Sequence, residues 1–239
     1  MRRSWLQRWS TERRVAVALR LLRGDEGHGD LTQGRRAELL SELAAELESC
    51  DPYTHGHSRR VARHAVIIAI RMGLGEHQVA VIRAAAALHD VGKINTPRAV
   101  LHKPGRLTEV ELALIELHPV DGAEIVSTLG DAELTAMVRH HHERLDGTGY
   151  PDGLAGEEIP LGARIIAVAD TFDAITSTRP YRPARTHDAA MEILDGEAGS
   201  RLDPSGVRAL QAYYADGPMR PLWAPRRTAV AARSLTPEA

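Results

Sequence analysis

The amino-acid sequence predicts an all-α protein. Apolar residues recur at three- and four-residue steps, as in Leu39, Leu40, Leu43 and Leu47, and this spacing places them on one face of a helix. Prolines and glycines between such segments supply helix boundaries. With 239 residues, of which 43% are hydrophobic, the chain can bury one sizeable core.

The first predicted helix covers residues 36–49. It stops before Pro52, because proline disfavours the helical conformation in the residue that precedes it. A second helix carries His57 near its start and has an apolar side that continues to Met72. Gly73 follows and ends this helix, since glycine is common just beyond a helix C-terminus.

An alanine-rich third helix is predicted over residues 76–90. It delivers His89 and Asp90 at its end, and Gly92 makes the turn that follows. Residues 95–105 contain two prolines and no helical stripe, so we expect a loop there. Because it follows His89 and Asp90, this loop is expected to lie over the site.

Helix start signals mark the next elements. Thr108 and Glu111 have the spacing of a capping box. His118-Pro119 marks a new start, because proline suits the first turn of a helix. A further helix from about Ala132 reaches His141-His142.

The last part of the domain begins with a glycine-rich loop over residues 146–153. Residues 162–176 then form an apolar helix that carries Asp170. A carboxylate on such a buried surface would be left unpaired unless a cation lay beside it. Helices over 187–195 and 204–214 complete the predicted fold.

Composition narrows the class of protein and its partners. The net charge of -2 gives no sign of binding to a long nucleic acid. Cys50 is the single cysteine, which excludes an intramolecular disulfide and a thiolate cluster, so metal ligands would be nitrogen and oxygen. No transmembrane segment and no secretory signal are expected, because charged residues interrupt the apolar stretches, and we expect a cytoplasmic location.

Seven imidazole and carboxylate side chains stand out among the polar residues. A single histidine in a helical protein is more often a hydrogen-bonded residue than a ligand. Several of these seven end apolar segments, however, where burial without a partner would cost several kcal/mol. Seven ligands are too many for one tetrahedral ion and suit two ions that share a bridging group. The set is His57, His89, Asp90, His118, His141, His142 and Asp170.

The other histidines lack such a setting. We interpret them as surface residues or as supports behind the ligands, whereas His140, which directly precedes His141 and His142, remains ambiguous. They are His28, His55, His64, His77, His102 and His187.

An ordered series of motifs resembles the HD-GYP family, a branch of the HD-domain metal-dependent phosphohydrolases. The resemblance extends over positions 36–214. Its motifs are Asp51–Val61, Leu88–Ile94, His118-Pro119 with Gly122, His141–Pro151, Ile159–Leu161, Ala163–Asp170 with Phe172-Asp173, Arg179–Arg182 and Leu202–Pro204.

This resemblance implies an HD-domain helical bundle of about seven or more helices, with a dinuclear metal site in its core. It also implies hydrolysis of cyclic di-GMP to linear pGpG, and in some members on to GMP, by attack of a metal-bridging hydroxide. Asp90 is the expected bridge and therefore a catalytic residue. Carried over residue by residue, one ion is surrounded by His57, His89, Asp90 and Asp170, and the other by Asp90, His118, His141 and His142.

Two divalent transition metal ions are expected. Iron or manganese is favoured and zinc or nickel is an alternative, because imidazole and carboxylate bind all four. Some family members bind a third ion through a glutamate four positions before the first histidine. Tyr53 occupies that position here, and its phenol, with an ordinary pKa near 10, is a poor ligand at neutral pH.

The resemblance also implies a set of substrate-binding residues. Lys93, three positions after Asp90, is expected to offer its ammonium group to a phosphate oxygen or to the leaving group, and so to be catalytic; position alone would favour a solvated cation. Arg179 and Arg182 are expected at the second phosphate, since guanidinium binds phosphate bidentately. Neutralisation of a surface is their alternative role. The Gly149-Tyr150-Pro151 element is expected to face the substrate, with a connecting loop as the alternative.

Two acidic residues are expected to support this site from behind. Glu143 would support a histidine through its free ring nitrogen. Asp173 would orient an arginine or a metal ligand. Leu145 departs from the family, in which many members have tryptophan.

The two ends of the chain are predicted to lie outside the catalytic domain. Residues 1–35 are expected to form a basic N-terminal helix and a linker, because residues 1–23 contain seven arginines and one acid. This helix is expected to pack on its own domain or on a second subunit; another protein or an anionic membrane is the alternative. The catalytic domain is predicted over 36–215, and a disordered tail over 216–239.

Three functions remain open. The leading one is a cyclic di-GMP phosphodiesterase. An HD-family phosphohydrolase acting on another nucleotide or cyclic dinucleotide is the second. A non-catalytic cyclic di-GMP-binding signalling module is the third, and the intact set of candidate ligands argues against it.

Overall fold

The structure is a computed structural model that describes residue 42 and residues 56–178 and 183–216. Regular secondary structure in these residues is helical, which confirms the all-α fold class. The helices are α1 (His57–Arg71), α2 (Glu76–Leu88), α3 (Arg98–Leu101), α4 (Glu109–Glu116), α5 (His118–Ser127), α6 (Ala132–His140), α7 (Leu161–Thr176), α8 (His187–Glu197) and α9 (Pro204–Asp216).

Helix α7 is the centre of the bundle. It packs against α1, α2, α6, α8 and α9. A helix that is apolar on nearly all sides is suited to such a position, and Ile165, Ile166, Val168, Ala169 and Phe172 are completely buried. The core therefore surrounds the helix that carries Asp170.

The predicted helix boundaries are accurate where a helix-ending glycine or a capping box marks them. Helix α1 begins at His57, and Gly73 follows its end with φ of 79°. Helix α4 begins with the predicted capping box, in which the backbone N–H of Thr108 donates to Glu111 Oε2 at 2.8 Å and the Glu111 N–H donates to Thr108 Oγ1 at 3.3 Å.

The loop predicted over residues 95–105 is partly wrong. A 3₁₀ turn covers Val91–Asn95, and helix α3 follows from Arg98. Pro97 precedes that helix instead of interrupting it, because its own N–H is not needed there. Its carbonyl oxygen accepts the Val100 N–H at 2.8 Å, and the Val100 side chain is buried.

Gly92 lets helix α5 approach the 3₁₀ turn closely. A Cβ atom on Gly92 would collide with the carbonyl oxygen of His118 and the backbone nitrogen of Gly122. The missing side chain at Gly92 therefore brings the start of α5, with His118, next to Asp90.

Several predictions lie outside the described residues. They concern the N-terminal helix and linker, Tyr53, Arg179, Arg182 and the tail beyond Asp216. The helix predicted over 36–49 is described at Glu42 alone, which is helical. Within the described residues, every helix is too short or too polar to cross a bilayer.

Candidate metal centre

Three of the histidines sit at helix ends and share one arrangement. His89 and His141 directly follow α2 and α6, and His118 begins α5. The Nδ1–H of each ring donates to the carbonyl oxygen three residues earlier, at 2.8 Å for His89 and 2.7 Å for His118 and His141. A carbonyl oxygen can only accept, so Nδ1 carries a proton, and in the neutral ring the lone pair is therefore on Nε2.

His57 is held at Nδ1 by a carboxylate instead of a carbonyl oxygen. Its Nδ1 donates to Asp173 Oδ2 at 2.8 Å, and Asp173 Oδ1 accepts from Nε of Arg60 at 2.6 Å. Burial lowers the pKa of His57, but the hydrogen bond to Asp173 and the nearby Asp170 and Asp90 carboxylates raise it, and the net shift is upward. Burial opposes ionisation of Asp173, yet its bonds to His57 and Arg60 lower its pKa to about 2.

Asp90 lies between two sets of side chains. Its Oδ1 is 3.3 Å from His118 Nε2, and its Oδ2 is 3.5 Å from His89 Nε2 and 3.7 Å from His57 Nε2. Burial opposes the charge of Asp90, but His89, Lys93 and His118 outweigh it and hold the carboxyl pKa well below its usual range. Asp90 is therefore an anion with one oxygen towards each set.

The candidate ligands fall into two groups whose ligand atoms lie within 4.8 Å of one another. One group is Asp90, His118, His141 and His142, and the other is His57, His89 and Asp170. In the second group, His57 Nε2 is 3.3 Å from Asp170 Oδ1. The structure thus brings together all seven side chains named from the sequence.

The nitrogen atoms of these groups fit a cation. His118 Nε2 and His141 Nε2 face each other at 3.3 Å, and in neutral rings protonated at Nδ1 both nitrogens would carry lone pairs. His89 Nε2 is buried and lacks a hydrogen-bond partner among the described residues. Burial lowers the pKa of His141 and lowers that of His142 to about 3, which keeps both rings in the neutral form that metals bind.

Tyr150 holds His142 in place. Its ring stacks on that imidazole with centroids 4.9 Å apart and an interplanar angle of 29°. The backbone N–H of Tyr150 also donates to the His142 carbonyl oxygen at 3.3 Å. A Cβ atom on Gly149 would collide with the Arg144 backbone nitrogen, so glycine permits this close return of the chain. Pro151 follows, half-buried.

Glu143 has a different partner from the one expected. Its Oε1 accepts the backbone N–H of Asp152 at 2.7 Å, so its side chain ties the glycine-rich loop to the turn after α6. No hydrogen bond described for this side chain reaches a histidine ring. The carboxylate of Asp152 instead pairs with Arg139 at 2.7 Å and with His140 at 2.9 Å. His140 therefore lies outside the two ligand groups.

His64 was interpreted as a surface residue or as a support behind the ligands, and the structure excludes the surface position. His64 is buried, and its Nε2 lies 3.1 Å from the Tyr214 hydroxyl oxygen. Its neighbours Phe172 and Tyr214 belong to α7 and α9, which are distant in sequence. The sequence around His64 therefore gave no sign of this burial. Arg60, which was not predicted, could have been found from its position three residues after His57, on the same face of α1.

Lys93 points at the Asp90 carboxylate. Its Nζ lies 2.6 Å from Asp90 Oδ2, and its side chain is 31% exposed. The ammonium group thus sits at the solvent side of the ligand groups. A cavity of about 410 Å³ opens beside the ligand groups, where His142 and Asp170 line its wall.

Comparison with known proteins places this geometry in a family. A family model described as HD domain matches residues 41–206. The chain is 47% identical over 179 residues to the cyclic di-GMP phosphodiesterase response regulator RpfG of Xanthomonas campestris pv. campestris, which covers 74% of this chain and 47% of that protein. It is 40% identical over 174 residues to the 3'3'-cGAMP-specific phosphodiesterase 3 of Vibrio cholerae, over 72% of this chain and 38% of that one.

A solved structure is similar as well. The crystal structure of cyclic GMP-AMP specific phosphodiesterases of V. cholerae has a TM-score of 0.51 and 31% sequence identity, over 79% of this chain and 43% of that chain. The chain spans less than half the length of both curated relatives named above. Because the family model covers well over half of the chain, the protein belongs to the HD-domain family, and its motifs and relatives lie in the HD-GYP branch of that family.

Proposed function

We propose that this protein is a metal-dependent phosphodiesterase that hydrolyses cyclic di-GMP to linear pGpG. The observation that carries the proposal is the Asp90 carboxylate, which offers one oxygen to each of two groups of histidine and aspartate side chains. A shared carboxylate is what a pair of metal ions requires. Relatives that are named as cyclic dinucleotide phosphodiesterases support the substrate class.

His57, His89 and Asp170 would hold one ion, His118, His141 and His142 would hold the other, and Asp90 would be shared between them. Two divalent ions in such a site supply an activated water molecule and neutralise charge on the phosphoryl oxygens. Iron and manganese are the favoured ions, with zinc and nickel as alternatives.

The protein itself orients the histidine rings and supplies positive charge near the substrate phosphate. The hydrogen bonds at Nδ1 of His57, His89, His118 and His141 fix the ring planes before any ion binds. Lys93 adds a cation at the edge of the site, where a phosphoryl oxygen or the leaving group would lie. Arg179 and Arg182 are proposed to bind the second phosphate, and Gly149, Tyr150 and Pro151 to border the substrate.

A second substrate is favoured by a specific observation. Relatives that are 36–40% identical to this chain are named as 3'3'-cGAMP-specific phosphodiesterases. Because both cyclic dinucleotides contain guanine and the same pair of phosphodiester bonds, cleavage of 3'3'-cGAMP is the second candidate activity. Release of GMP from the linear product would be a further step, which product analysis detects.

The test combines metal analysis with product analysis on anaerobically purified protein. We expect about two equivalents of transition metal per chain and conversion of cyclic di-GMP to pGpG. The double variant His89→Ala, Asp90→Ala should lose both the metal and the activity. His77→Ala, which changes an exposed histidine of α2, is the matched control. Metal-loaded protein that binds the dinucleotide without cleaving it would overturn the proposal in favour of a binding module.

A further inference from the structure

We propose that the cavity beside the metal ligands is a base-binding subsite that selects guanine, and that Glu197 and Arg201 determine this selectivity. The inference rests on the proposed function, because it assigns a subsite to a cyclic dinucleotide substrate. It adds residues from the end of α8 and the turn after it, which belong to neither ligand group.

The cavity has the size and lining of a nucleobase site. Its volume of about 410 Å³ lies within the range of ligand pockets, about 300–1,000 Å³, and suits one nucleotide better than a whole cyclic dinucleotide. His142 and Asp170 line it, so a base bound there would place its phosphate beside the ligand groups. Ala167, Ala174 and Leu202 supply a lining of small and apolar side chains that accepts a flat ring.

The polar residues of the cavity are held by a tight turn. The carbonyl oxygen of Glu197 accepts the backbone N–H of Arg201 at 3.0 Å and that of Leu202 at 3.1 Å. Gly199 makes this turn possible, because its φ of 86° lies in the left-handed region. The Asp146 N–H donates to the Ser200 carbonyl oxygen at 2.8 Å, which ties the turn to the loop after His142.

The side chains of Glu197 and Arg201 are available to a ligand. They form an ion pair at 3.3 Å through one guanidinium nitrogen, and they are 33% and 50% exposed. Ion pairs as exposed as this one contribute little to stability, so a ligand can replace it at low cost. Arg144 lines the same cavity and adds a second guanidinium group.

This combination of charges matches guanine. Its N1–H and 2-amino groups are donors that one carboxylate accepts, and its O6 and N7 are acceptors that a guanidinium group binds bidentately. Adenine has an acceptor at N1 and no 2-amino group, so it would present a lone pair to the Glu197 carboxylate. The same residues that attract guanine therefore repel adenine.

The test compares four substrates: cyclic di-GMP, 3'3'-cGAMP, cyclic di-AMP and bis(p-nitrophenyl) phosphate, which has no base. In Glu197→Gln the ratio of kcat/KM for cyclic di-GMP to kcat/KM for cyclic di-AMP should fall at least about tenfold, because the amide replaces one acceptor for guanine with an N–H that donates to N1 of adenine. The ratio of cyclic di-GMP to the base-free diester should fall similarly. Glu192→Gln, which changes an exposed carboxylate of the same helix, should leave both ratios unchanged.

Arg201→Gln provides an independent second variant and should lower the same two ratios. If both variants keep the wild-type ratios while the enzyme still cleaves cyclic dinucleotides, the guanine subsite is wrong and the proposed function stands. If the wild-type protein cleaves none of the cyclic dinucleotides, the proposed function fails and the inference fails with it.

Discussion

Asp90 Oδ1 lies 3.3 Å from His118 Nε2, while the other oxygen of the same carboxylate faces His89 and His57. These residues come from different elements, and Gly92 brings them together by allowing the start of α5 to contact the 3₁₀ turn. The geometry of the proposed dinuclear centre therefore depends on backbone packing outside the ligand set.

Gly92→Ala should damage the centre without changing a ligand. The added methyl group would collide with the His118 carbonyl oxygen and push α5 away from Asp90. Overpacking of this kind costs about 1–3 kcal/mol or more of unfolding free energy. We expect a lower midpoint in urea unfolding and loss of bound metal.

Gly196→Ala is the matched control for this change. A Cβ atom on Gly196 meets open space, and the residue lies in α8. Alanine is favoured over glycine in a helix by about 0.5–1 kcal/mol, so this variant should be neutral or more stable. Equal destabilisation by both substitutions would contradict the close-packing argument.

Asp173→Asn should weaken metal binding although Asp173 is not assigned as a ligand. The carboxylate fixes His57 through Nδ1 and is itself held by Arg60. Removal of such a supporting group lowers metal affinity by about 10–100-fold. Titration of the metal-depleted protein with Mn²⁺ measures the change, and Asp188→Asn, at an exposed position, is the control. Identical affinities would refute the positioning role.

Tyr150 is expected to act through its ring. Tyr150→Phe keeps the stacking on His142 and should retain metal and activity, whereas Tyr150→Ala removes the contact and should weaken both severalfold. Metal content and turnover of the two variants, measured side by side, distinguish a role of the ring from a role of the hydroxyl group. Equal losses would instead point to the hydroxyl group.

His64 should make stability depend on pH. Burial lowers its pKa from the ordinary value of 6.5 to about 4, so protonation favours the unfolded chain. Its contribution is fully present above pH 6.5 and is lost as the pH falls towards 4, which amounts to about 3 kcal/mol. The wild-type protein should lose this much unfolding free energy relative to His64→Phe between pH 7 and pH 4. If urea unfolding shows the same change in unfolding free energy for both proteins between pH 7 and pH 4, the prediction is wrong.

The sequence predicted most of the helices because their ends carry specific signals. Thr108 with Glu111, His118-Pro119 and Gly73 all mark boundaries that the structure has. Helix α3 was missed because Pro97 was interpreted as a loop residue, whereas a proline just before a helix is compatible with its start. Local signals of this kind determine where helices begin and end.

The candidate ligands could be named from the sequence because they follow motifs at helix ends. Their partners were harder to predict, because these depend on packing between distant segments. Asp173 contacts His57, which lies 116 positions earlier in the sequence. The Glu143 carboxylate accepts a hydrogen bond from the loop after α6 and not from a histidine ring. The contribution of Glu197 and Arg201 to the cavity also depends on a turn that no motif marked.

Metal stoichiometry of Asp90→Asn tests whether one carboxylate serves both proposed ions. We expect about two transition metal ions per chain in the wild-type protein and loss of both in the variant, because both proposed ions share this carboxylate. Elemental analysis of the anaerobically purified proteins, with Asp188→Asn as control, provides the measurement. A variant that retains one ion per chain would show that Asp90 serves a single site and would refute the shared carboxylate.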